Sequence, residues 1–153
     1  MLVAVGGLLL ASAAHSEPPV ELAAAVPDDV VAGMGSMGCQ LSPAPADASL
    51  LAKVGPIEAL AAAQAELASK PKPNSAAFAL YSDTVTRAVN EQGDPYGPLL
   101  GPQKLLVYVF VFDGLELPPS GPYGRTGTTI LHHEIVMLID ASTGEWVLDG
   151  TFR

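Results

Sequence analysis

The chain has 153 residues, with 16 Asp and Glu against 7 Lys and Arg, a net charge of −9 and a single cysteine. That length suits one domain. The acidity, with no cluster of Lys and Arg to neutralise phosphates, excludes a nucleic-acid binder, and one thiol excludes an internal disulfide framework. Hydrophobic residues make up 49% of the chain and mean hydropathy is +0.34, but much of this is alanine. The aromatics, which bring much of the area a core buries, run only from Phe78 to Phe152. The first half is therefore not expected to hold a core of its own.

Leu2 to Ala14 is a run of Leu, Val, Ala and Gly broken only by Ser12. It is short of the roughly 20 apolar residues that a spanning helix needs, and it fits the apolar region of an export signal followed by small residues suited to cleavage. Residues 1–16 are read as that signal, with cleavage after Ser16 or Ala14, although a basic start is missing. The mature product is then exported (secreted, periplasmic or envelope-associated), with no stable membrane span. Residues 17–53 mix Pro, Ala, Gly and acids, as in Pro43-Ala44-Pro45-Ala46-Asp47, and are expected to be a flexible or loosely docked linker. Cys39 within it lies too far from the apolar run for lipid attachment. Met34, Met37 and Cys39 are soft ligands of the kind Cu(I) prefers, but a Gly-rich spacer offers no fixed scaffold for them.

Gly55-Pro56-Ile57-Glu58 is a helix start, because Pro lacks the N–H that would be unpaired there and Glu58 meets the positive end of the dipole. Ile57, Leu60, Ala61, Gln64, Leu67 and Ala68 recur at helical spacing, and Lys70-Pro71-Lys72-Pro73 ends the run. Ala76 to Tyr81 is expected as a strand, with Ser82 or Asp83 then capping a helical stretch to about Val89. Residues 92–103, rich in Gly and Pro, read as an irregular loop. Leu105 to Phe112 is a Val- and aromatic-rich run that predicts a central strand covered on both faces. A long Gly/Pro loop follows at 118–127. Ile130 to Ile139 is a further strand, with Ile135, Met137 and Ile139 on one face and Glu134, Val136 and Leu138 on the other. Asp140-Ala141-Ser142-Thr143-Gly144-Glu145 is a hairpin turn, and Trp146 to Phe152 returns antiparallel. If Asp140 faces Glu145, Ile139 faces Trp146 and Met137 faces Leu148. The fold class that results is α+β, an N-terminal helix packed on a small antiparallel sheet of about three or four strands ending in a hairpin.

A helix, antiparallel strands and a closing hairpin with the turn Asp140-Ala141-Ser142-Thr143-Gly144-Glu145 resemble PepSY-type domains, small α+β units of exported and envelope proteins such as peptidase propeptides. The resemblance spans residues 54–153 and rests on the last two strands and their turn. It implies a non-catalytic module and brings no catalytic residues.

Potential ligands gather only at His132-His133-Glu134. On a strand His132 and Glu134 share one face while His133 takes the other, so His132 and Glu134 are the candidate metal ligands, with Asp149 or Thr151 on the neighbouring strand as possible helpers. Zinc sites usually require three or four ligands, and partly exposed strand histidines are the plainer reading. No serine has a nucleophile-elbow context, Arg125 in its glycine loop lacks the lysine and helix of a phosphate loop, and Asp28-Asp29 reads as solubilising charge. No catalytic residue and no cofactor is expected. The function expected is a binding or inhibitory module acting on an extracytoplasmic protein or peptide, with a small metal- or ligand-binding protein using the His132-His133-Glu134 strand as the alternative, and a hydrolase of unseen site as a third.

Overall fold

The structure, a computed structural model, describes residues 19–67, 69–83, 104–117 and 130–152. The export segment 1–16, the stretch expected as helix beyond Asp83 and the loops at 92–103 and 118–127, with Arg125, lie outside the described residues. The elements run α1 (Asp28–Ser36), β1 (Cys39–Pro43), α2 (Ala48–Leu51), α3 (Pro56–Ala65), β2 (Ser75–Asp83), β3 (Leu105–Leu117), β4 (Ile130–Asp140) and β5 (Trp146–Phe152). The strands form one sheet in the order β1-β2-β3-β4-β5, antiparallel at every step.

The α+β expectation does not hold. Among the described residues 45 lie in strands against 23 in helices, and the sheet is a curled five-stranded half-barrel that carries only short helices. Two sequence readings caused the error. The stretch 28–53, expected as a linker, supplies α1, the edge strand β1 and α2. Ser82 and Asp83, expected to start a helix, continue β2, where they pair with Gln40 and Cys39.

The first half packs without aromatics through Val30, Met34, Cys39 and Leu41. Asp28 and Asp29 sit at the positive end of α1. Gly38 (φ 81°) turns the chain out of the helix and into β1, its N–H bonded to the Gly35 carbonyl at 3.1 Å. Val30 and Met34 are thereby pressed onto one face of the sheet, among Leu41, Tyr81, Val107, Val109, Val136 and Leu138. Cys39 is buried in the same cluster, where its sulfur accepts from the Tyr81 hydroxyl at 3.8 Å. Met37, in contrast, is 40% exposed. Met34 and Cys39 are core residues, not members of a spacer.

The opposite face is covered by α3. The helix begins at Pro56, as the sequence indicates, but the buried stripe is displaced. Ala59 and Ala63 are fully buried against Tyr108, Phe110, Phe112, Ile135, Met137 and Ile139, while Ile57 remains 44% exposed. The bulk of this core comes from the sheet, so methyl-sized side chains let the helix approach closely. Because helices cover both faces, the runs 107–112 and 135–139 are buried at every position, and the expectation of a doubly covered central strand holds for β3. The two-sided reading of β4 also holds, with Ile135, Met137 and Ile139 in one cluster and Val136 and Leu138 in the other.

The hairpin turn forms through the chemistry its residues imply. The Asp140 carboxylate accepts from the backbone N–H groups of Ser142 (2.6 Å) and Thr143 (3.3 Å), and Gly144 takes φ 76°. The Asp140 N–H bonds the Glu145 carbonyl at 2.9 Å, and Ile139 pairs with Trp146. The register then slips by one between Leu138 and Ile139, so Leu148 faces Leu138 and Met137 faces Asp149 instead of Leu148. This bulge turns both Val147 and Leu148 toward the face covered by α1. Ala141, fully buried, clamps the turn to the domain, since its carbonyl accepts from the N–H groups of Lys53 and Val54 and its N–H donates to the Leu106 carbonyl. Asp140→Ala is expected to lower stability by about 1 kcal/mol while Asp140→Asn, which keeps the accepting oxygen, stays within about half of that loss; urea unfolding measures both.

Candidate functional site

The segment that carries α3 into β2 and the segment that precedes α1 run side by side. Within Pro19–Ala23 the chain meets the sheet at a parallel bridge, Ala23 to Ala77, closed by the Ala23 N–H on the Ala76 carbonyl at 2.7 Å. Val20 and Leu22 lean on the core that α3 covers. Upstream of the bridge this segment parts from β2 and leaves a cleft of about 730 Å³, lined by Pro19–Ala23, Ile57, Leu60, Ala61, Gln64, Lys70 and Lys72–Ala76. That volume falls within the roughly 300–1,000 Å³ typical of ligand pockets. A second hollow of about 330 Å³ shares Leu22 with it and is lined also by Ser49, Ala52–Pro56, Phe78 and Tyr108.

One side of the larger cleft is apolar and the other is basic. Exposed Ile57 and Ala61, with Leu60, which is half-buried against the core, form the α3 side of the cleft. Its ionisable lining residues are Lys70, Lys72 and Glu21. The backbone that bears the lysines is fixed at both ends. The Gln64 amide donates to the Pro71 carbonyl at 2.7 Å. Asn74 donates its N–H to the Val111 carbonyl at 2.8 Å, and its side-chain oxygen accepts from the Asp113 N–H at 3.0 Å. Pro71 and Pro73 lock their own φ, and each biases the preceding lysine toward extended conformations.

The residues singled out for metal binding are not in this cleft. His132 and Glu134 stand in β4, where His132 pairs with Leu115, and Glu134 pairs with Asp113 on one side and Phe152 on the other. The side chains of His132 and His133 lie outside the described residues. Glu134 is half-buried, and the carboxylate placed directly opposite it belongs to Asp113 on the exposed end of β3. Asp149 faces Met137 and Thr151 faces Ile135, so the register sets neither opposite His132. Among the described residues there is no group of three or more His, Cys, Asp or Glu arranged to hold a metal ion, and no helix is long and apolar enough to cross a membrane.

Lys70 and Lys72 carry no site signal as a helix terminator, and Gln64 none as a member of the helical stripe. The signal that was present is the alternation itself, which repeats a cation every second residue on a stiffened chain.

Comparison with protein-family models, with curated proteins and with solved structures finds no match.

Proposed function

We propose that the chain is an exported, non-catalytic module that binds a protein or peptide partner, as a carrier or as an inhibitor, and that it does so in the cleft between Pro19–Ala23, α3 and Lys70–Ala76. The observation that carries this reading is the cleft, in which an apolar helix flank and two backbone segments surround a space of ligand size. The PepSY-like ending of the chain supports a binding role over a catalytic one, and the run Leu2–Ala14 supports export.

Panning a random dodecapeptide library on the full chain tests it. Selected peptides are expected to bind with micromolar Kd, and Ala61→Trp, which fills the cleft from an exposed position of α3, is expected to weaken them by about tenfold or more, equivalent to about 1.4 kcal/mol. Binders that ignore Ala61→Trp, or the absence of any binder, overturn the reading.

A further inference from the structure

We propose that the segment this cleft takes is an extended acidic peptide, with carboxylates on alternate residues meeting Lys70 and Lys72 and with intervening apolar side chains resting on Ile57 and Leu60. This deepens the reading of the cleft as a peptide site and rests on it.

Charge is the first argument. The chain holds 16 acidic residues against 7 Lys and Arg, yet the cleft lining reverses that ratio, with two lysines and one glutamate. Both lysines are exposed, and among the described residues neither forms an ion pair. At physiological salt the Debye length is about 8 Å. A ligand in the cleft therefore senses these two cations more than the acids spread over the rest of the surface.

Spacing is the second argument. A chain held extended on either side of a proline advances about 3.1–3.4 Å per residue, so Lys70 and Lys72 are set roughly two such steps apart. Alternate residues of an extended peptide have nearly the same separation, and a pattern of acid, any residue, acid matches the lysines one to one. The anchoring at Pro71 and Asn74 keeps that spacing before the ligand arrives, which reduces the ordering cost of binding. An acyl chain with a single anionic head would use only one lysine and would leave the polar backbone walls at Pro19–Ala23 and Pro73–Ala76 against hydrocarbon.

Fluorescence anisotropy with labelled synthetic peptides on the full chain decides the matter. A peptide alternating Glu and Leu is expected to bind at least about tenfold more tightly than one alternating Lys and Leu. Lys70→Gln with Lys72→Gln is expected to remove that preference, Lys70→Arg with Lys72→Arg to keep it, and 1 M salt to weaken the Glu peptide. Equal binding of the two peptides, or an unchanged preference in the double Gln variant, overturns the proposal. Equal binding of an alternating Ser and Leu peptide that is still lost in Ala61→Trp overturns the acidic specificity alone and leaves the peptide site standing. Loss of all Ala61→Trp-sensitive peptide binding overturns both. Lysine-dependent binding to anionic lipid vesicles without peptide binding assigns the cleft to a lipid surface and overturns the proposal.

Discussion

Met34→Ala is expected to lower the unfolding free energy by about 2–5 kcal/mol, the range for truncating a fully buried methionine. Met34 has no exposed surface, and it lies with Val30 on the sheet face formed by Tyr81, Val107 and Val109. Domain stabilities are roughly 5–15 kcal/mol, so this single truncation removes a large part of the total. Met37 is the control. It is 40% exposed on the same helix end, and Met37→Ala should stay within about 0.5 kcal/mol. Urea unfolding of the two variants separates a docked α1 from a tethered spacer. Equal, small losses in both would return residues 28–36 to the linker class.

The same contrast explains how much of the fold the sequence announces. The turn Asp140–Glu145 is legible because all of its chemistry is local: a carboxylate within reach of the next two N–H groups and a glycine where φ must be positive. β3 is legible because Leu105 to Phe112 is too apolar for any place but a covered strand. α1 and β1 are not legible. Their burial depends on Cys39–Pro43 pairing with Ala79–Asp83 some forty residues later, and on Val30 and Met34, two apolar residues set in a stretch of linker-like composition. The spacing of α3 points to Ile57, Leu60 and Leu67; Leu60 and Leu67 do pack on the core in part, but a sheet surface crowded with Tyr108 and Phe110 buries only Ala59 and Ala63 fully. The bulge at Leu138/Ile139 has no local marker at all, and it moves Leu148 away from Met137.

The candidate site follows from how α3 is buried. Had Ile57 been buried as its spacing suggests, the cleft would lose much of its apolar side. Full burial of Ala59 and Ala63 instead leaves Ile57 exposed and Leu60 half-buried, beside the basic segment Lys70–Pro73. The strand that carries His132 and Glu134 was conspicuous in the sequence because histidines are rare in it. Conspicuous composition and a shaped site are different signals, and only the second depends on which elements the fold brings together.

Tyr108 offers the other large effect. Its ring is buried in the centre of β3, 4.5 Å from the Phe78 ring and 6.0 Å from that of Phe110, and its hydroxyl donates to the Val54 carbonyl at 2.6 Å. That bond fixes the chain just ahead of α3, so Tyr108 joins the sheet to the helix that borders the cleft. Tyr108→Ala is expected to cost at least about 3–5 kcal/mol, the range for losing a buried aromatic. Tyr108→Phe keeps the packing and leaves the Val54 carbonyl without its donor, a loss of about 1–3 kcal/mol. The hydroxyl also predicts an alkaline limit. Burial pushes the Tyr108 phenol above its usual value of 10.0, because the charged phenolate is the poorly solvated form. Well below pH 10 the phenol is protonated in both folded and unfolded chains and its contribution is complete. As pH rises from there through the folded value, the unfolded chain releases the proton first, so stability falls. Thermal unfolding followed from pH 8 to pH 11 should show a steeper decline in the wild type than in Tyr108→Phe. Parallel declines would mean that the phenol ionises in the folded protein as easily as in water, and that the link from β3 to α3 is solvated.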